Sequence, residues 1–190
     1  MNKDNYKYSN DFTVLSIDPG LYNCGTAILN TNRVNEKKII FVETIYTQKL
    51  LHLVRDVEYK YGTKTAREIL IINQLCKLVD FYDINLIVSE SAFINPSRPA
   101  AYGALVEVIT AIKLRVAIIK NIPFISIAPS IIKNTMGVAG GSKDKLLMKY
   151  ALKQFEIEGK VINEKKINLD LLDEHSIDAV CIGLSYLNSI

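Results

Sequence analysis

The chain has 190 residues, 49% of them hydrophobic, and a mean hydropathy of +0.14; this is enough to bury one substantial core and short for two domains, so a single domain over 1–190 is expected. Its 23 Lys and Arg against 20 Asp and Glu leave a net charge of +3 and a pI near 8.6, too even a balance to identify a nucleic-acid binder by charge alone. The three cysteines, Cys24, Cys76 and Cys181, form no C-x-x-C pair and have no zinc-ligand spacing, which leaves buried, reduced thiols and an intracellular compartment as the expectation.

After a polar leader, Met1 to Asn10, that lacks the apolar core of a signal peptide, Thr13 to Ile17 is a short β-branched run closed by Asp18-Pro19-Gly20, a buried strand ending in a turn. Thr26 to Leu29 and Lys38 to Ile45 continue as two more strands around the loop Asn30 to Glu36, giving an antiparallel meander. From Thr65 to Phe81, Ala66, Ile69, Leu70, Leu75, Leu78 and Val79 recur near helical spacing. Leu86 to Val88 then reads as a buried strand ending at Ser89-Glu90. Ala100 to Lys120 is a second amphipathic helix, and its Glu107, Lys113 and Arg115 argue against a membrane span, so a soluble protein is expected. Phe124 to Ile127 is a strand stopped by the breaker Pro129. Gly137 to Gly141 is a glycine-rich loop, Ser142 to Phe155 a helix with Ser142 as N-cap, and Glu174 to Leu187 a last, mostly apolar helix. A meander followed by alternating helices and strands predicts an α/β fold, a mixed five-stranded sheet flanked by helices.

Asp18 and Glu90 each stand at the end of an apolar strand, where the chain leaves the sheet and a carboxylate can meet a ligand. Taken singly, Asp18 is also a turn-former and Glu90 a solvated surface acid. His175-Ser176-Ile177-Asp178 opens the last helix and places imidazole and carboxylate on one face at i and i+3; Glu174 and Asp178 also suit the helix dipole. That account does not explain why Asp178 is surrounded by Ile177, Ala179, Val180 and Ile182. Together, two strand-end acids and a His/Asp pair supply the ligands for two Mg²⁺ or Mn²⁺ ions that keep open positions for water and phosphate, the chemistry of a phosphodiester hydrolase.

These residues resemble the RuvC-type Holliday junction resolvases of the RNase H-like superfold. Ile17-Asp18-Pro19-Gly20-Leu21 with Gly25 resembles the family's opening strand and turn, and Ser89-Glu90-Ser91-Ala92-Phe93-Ile94-Asn95-Pro96 its second acidic motif. Ala128-Pro129-Ser130-Ile131-Ile132-Lys133 and Gly137 to Lys143 resemble its basic, DNA-facing segment; His175 to Asp178 resembles its terminal helix, where members carry Asp or His at the first position. The segments fall in family order across nearly the whole chain. The resemblance implies metal ligation by Asp18, Glu90, His175 and Asp178, with Lys133 and Lys143 near the scissile phosphate or the DNA backbone and Phe93 wedged against bases at the junction centre. Ordinary alternatives are solvated lysines and a core Phe, and Asp170, Asp173 and Glu174 compete as ligands in the last region.

The resemblance further implies a Mg²⁺- or Mn²⁺-dependent endodeoxyribonuclease that cuts four-way junctions or other branched DNA. It implies a homodimer, with the Ala100 to Lys120 helix a candidate for its surface, and a cytoplasmic location, the host's if phage-encoded. Related RNase H-fold nucleases on flap, Y-shaped or RNA-containing substrates, and a non-catalytic junction-binding protein, are the alternatives. A sugar kinase or ATPase of the actin type also begins with Asp-x-Gly after a strand, but needs two such lobes where 190 residues provide one.

Overall fold

A computed structural model describes residues 11–32, 36–94, 99–138 and 146–189. The apolar runs form β1 (Phe12–Asp18), β2 (Asn23–Thr31), β3 (Lys37–Tyr46), β4 (Leu86–Glu90) and β5 (Phe124–Ile127). They make one five-stranded sheet in the order β3-β2-β1-β4-β5, with β1–β2 and β2–β3 antiparallel and β1–β4 and β4–β5 parallel. This is the mixed sheet that the meander and the later alternation predict.

Both faces are covered. Val14, Ala27, Leu29, Ile39, Leu86 and Val88 pack with Ile177, Val180 and Leu184 of α6 (Glu174–Leu187). The alternate residues Leu15, Ile17, Ile28, Ile40 and Ile87 pack with Ile71 and Leu75 of α2 (Arg55–Tyr82) and Val108 and Ile112 of α3 (Pro99–Ile112). Strand alternation therefore fixes where the strand-end acids point: Asp18 shares parity with Val14, and Glu90 with Val88, so both belong to the α6 side. Helix α6 lies very close to the sheet. A Cβ at Gly183 would sit 2.5 Å from Leu29 Cδ1 and 2.8 Å from Ser16 Oγ.

Several helical segments differ from the sequence expectation. A short α1 (Thr47–Leu50) and a 3₁₀ turn (Leu51–Val54) follow β3, and a helical segment from Arg55 comes next, which breaks at Gly62 (φ 85°, ψ 162°) so that the helix beyond the break starts close to the expected Thr65. Helix α3 ends at Ile112 and runs on only as a π turn, Lys113–Ala117, before Asn121 at φ 54° reverses the chain. Pro129 starts α4 (Pro129–Thr135) instead of merely ending a strand, because a first-turn residue needs no intrahelical N–H bond and its fixed φ already suits the helix. Helix α5 spans Leu146–Ile157; the expected N-cap Ser142 lies outside the described residues. Among the described residues, no helix is long and apolar enough to cross a membrane.

Candidate active site

The parallel pairing of β1 with β4, Ile17 opposite Ser89, brings Asp18 and Glu90 side by side at the carboxyl ends of adjacent strands, where α/β sheets bind their ligands. Helix α6 then lays its first turns across them. Gly25, paired with Asp18, makes this possible: a Cβ there would lie 2.0 Å from the His175 carbonyl oxygen and 3.2 Å from Asp18 Cβ. His175 Nδ1 is 2.8 Å from Asp18 Oδ2. Asn23 Nδ2 lies 3.3 Å from His175 Nε2; the amide nitrogen can only donate, so Nε2 accepts and the imidazole proton sits on Nδ1, donated to Asp18.

The acids repel one another in a poorly solvated place. Burial, then the negative charges of Asp18 and Asp178, push the Glu90 carboxyl up to about 8, with Lys133 opposing. Burial, then Asp18, push Asp178 up to about 7, with His175 and Lys133 opposing and Glu174 adding to the rise. The hydrogen bond to Asp18 raises His175, against burial. A buried group of carboxylates that costs free energy to ionise is stabilised by a bound cation, and its oxygens are the donors that Mg²⁺ and Mn²⁺ prefer. Among the described residues no three His, Cys, Asp or Glu side chains close around one point as a metal cage, and Asp18 and His175 bond directly to each other. The carboxylate and imidazole donors suit divalent ions in chemistry.

The structure thus brings together Asp18, Glu90, His175 and Asp178, with Lys133 of α4 close enough to affect both buried acids. Phe93 lies in the segment after β4, 52% exposed. Lys143 lies outside the described residues. The competing acids separate clearly. Asp170 is exposed and paired with Lys153. Glu174 remains at the site, 3.8 Å from His175 Nε2. Asp173 caps α6: its Oδ1 accepts from Ser176 N at 2.9 Å and Thr44 Oγ1 at 2.7 Å, and its Oδ2 from Tyr46 OH at 2.5 Å. These donors hold its carboxyl below the usual range against the opposing effect of burial. Asp173→Ala should therefore cost about 1–3 kcal/mol, read as a lower urea midpoint, by removing the cap on Ser176 N and leaving Thr44 Oγ1 with Ser176 Oγ alone.

Sequence reasoning missed Asn23 and the Thr44–Tyr46–Asp173 anchor, which only the pairing of β2 and β3 under α6 creates. It also missed Arg67. This residue of α2 donates to Thr47 Oγ1 at 2.6 Å and to Gln48, and its guanidinium lies 4.4 Å from the centre of the Tyr22 ring. The Thr47 hydroxyl faces the carbonyls of Leu21 and Tyr22, so this group braces the turn that follows Asp18. The cysteines are free, Cys24 and Cys181 buried and Cys76 half-buried; burial, then Asp18, push the Cys24 thiol up to about 12.

No protein-family model and no curated protein matches the sequence. Solved structures do. Thermus thermophilus RuvC in complex with a Holliday junction substrate superposes with a TM-score of 0.63 at 14% identity, over 94% of this chain and 95% of that one. A yeast mitochondrial Holliday junction resolvase gives 0.60 at 15% identity, over 97% and 81%. A fowlpox virus resolvase with its substrate Holliday junction DNA gives 0.56 at 19% identity, over 94% and 98%. The chain has the fold of the RuvC-type Holliday junction resolvases, the family its motifs resemble.

Proposed function

We propose that this protein is a structure-selective endonuclease that cuts four-way junctions and other branched DNA by metal-dependent phosphodiester hydrolysis. The observation that carries the reading is the mutual repulsion of Asp18, Glu90 and Asp178, partly buried at the carboxyl edge of the sheet with His175 and Lys133 beside them. The fold, shared with resolvases solved on Holliday junction DNA, supports branched DNA as the substrate class.

Asp18, Glu90, His175 and Asp178 would hold the Mg²⁺ or Mn²⁺ ions. Bound there, a pair of such ions stabilises both the attacking and the leaving oxygen of an in-line displacement. The chain's own groups do the rest. Asn23 and Asp18 fix the orientation of the imidazole, and Lys133 brings positive charge to the phosphate being cut. Exposed Phe93, beyond Glu90, is suited to pack against an unstacked base, and Lys143 to hold the backbone. A two-fold homodimer would place one such site on each of two opposing strands of a junction.

The test is cleavage of synthetic four-way, Y-shaped and linear duplex DNA with Mg²⁺. The reading requires the four-way junction to be cut well ahead of the linear duplex. Cutting of Y-shaped DNA alone would reassign the substrate to flaps, and tight binding without cutting would make the protein a junction binder. His175 gives a finer expectation, since imidazole suits Mn²⁺ better than Mg²⁺. Mn²⁺ should support cutting at least as well as Mg²⁺; His175→Asp should keep activity in Mg²⁺, and His175→Ala should lose most of it in both. If His175→Ala cuts like the parent, His175 only starts the helix and Glu174 becomes the better ligand.

A further inference from the structure

Next to the acid cluster lies a second site with the opposite electrostatic problem. A cavity of about 600 Å³ opens between the turn after Asp18 and the facing helices α2 and α3, walled by Leu21, Tyr22, Lys64, Glu107 and the small residues of α3, with Arg67 against it. Arg67 is 5% exposed. Its partners among the described residues are neutral: the Thr47 hydroxyl, the Gln48 amide oxygen and the Tyr22 ring, so among the described residues two of its five N–H groups are used. Among the described residues no carboxylate pairs with it, and the other cation of the wall, Lys64, is already paired with Glu107. A buried, always-charged guanidinium without a counter-ion is costly, and its planar fork matches phosphate oxygens.

We propose that Arg67 forms the floor of a phosphate-binding subsite that takes a phosphodiester of the bound DNA outside the catalytic acids, an inference that rests on the nuclease reading above. The cavity wall is continuous with the Asp18 turn: Leu21 and Tyr22 line it, and Asn23 touches His175. The proposal places a phosphate neighbouring the scissile group of the same strand at Arg67. Space is available, since a Cβ at Gly103 of α3 would meet nothing within 4 Å.

The experiment measures affinity of the full chain for a labelled four-way junction, without divalent metal, across a salt series, beside melting temperature with and without inorganic phosphate. Arg67→Gln should weaken junction binding about tenfold and flatten the slope of log affinity against log salt by about one. Arg67→Lys should recover part of the loss. Inorganic phosphate should raise the melting temperature of the parent and not of Arg67→Gln; a phosphate shift that survives the substitution places the anion elsewhere and overturns the subsite. Because Arg67 also braces the Asp18 turn, a second variant leaves it in place. Gly103→Glu sets a carboxylate in the open cavity and should weaken binding as much, with unchanged or higher melting temperature, whereas Gly103→Gln should bind close to the parent. If the parent binds and cuts junctions while the foldable variants keep its salt slope, the subsite is wrong and the nuclease reading stands. A parent that neither binds nor cuts any junction overturns both.

Discussion

Asp18→Asn should reduce cleavage of a four-way junction by roughly a thousandfold while leaving junction binding intact. The amide keeps the volume of the carboxylate, and its oxygen still accepts from His175 Nδ1–H, so the β1 turn and the start of α6 stay in place. What is lost is the charge. Asp18 contributes to the raised carboxyls of both Glu90 and Asp178, which puts it electrostatically at the centre of the cluster. Single-turnover cutting measured beside a binding titration separates the two effects. Parental cutting by the pure variant would mean that Asp18 is only a turn residue.

Glu90→Gln should separate stability from activity in the opposite direction. The Glu90 carboxyl is poorly solvated and faces the like charges of Asp18 and Asp178, with Lys133 opposing. In metal-free buffer the neutral isostere should therefore stabilise the protein, by roughly 1–3 kcal/mol after allowance for its remaining solvent contact, and abolish cutting. Adding Mg²⁺ should raise the melting temperature of the parent more than that of the variant, because a ligand that binds only the folded state stabilises it by mass action. A variant less stable than the parent without metal would show that the Glu90 charge already has a partner in the fold.

What the sequence discloses follows from how local each cause is. Val14 to Ile17 and Leu86 to Val88 bury enough apolar surface to be read as strands without knowing their neighbours, Phe124 to Ile127 is marked by its aromatic and β-branched residues although Ile125 and Ser126 are exposed, and the α6 pattern marks its whole helix. The residues before Thr65 could not be read that way. Lys60, Tyr61, Gly62 and Thr63 show no apolar face; that part of α2 is exposed and contains a glycine at positive φ. Pro129 misleads because a proline that ends one element can begin the next. The strand-end acids and His175 were legible as candidates, while their grouping depends on β1–β4 register and on Gly25, which no residue pattern displays. The roles of Asn23 and Arg67 are tertiary, each bonding to a partner supplied by another element, while Asp173 combines a local cap on Ser176 with tertiary bonds to Thr44 and Tyr46.

On the proposed function, the acids at the β1, β4 and α6 ends hold divalent ions for the cutting of branched DNA. The most direct measurement is end-mapping of a labelled, immobile four-way junction incubated with the purified protein in Mg²⁺, in Mn²⁺ and in EDTA. The expected result is paired nicks at symmetric positions on two opposing strands, with 5′-phosphate and 3′-hydroxyl ends, in either metal and none in EDTA. Nicks that persist in EDTA, or an intact junction that is nonetheless bound in both metals, would contradict it.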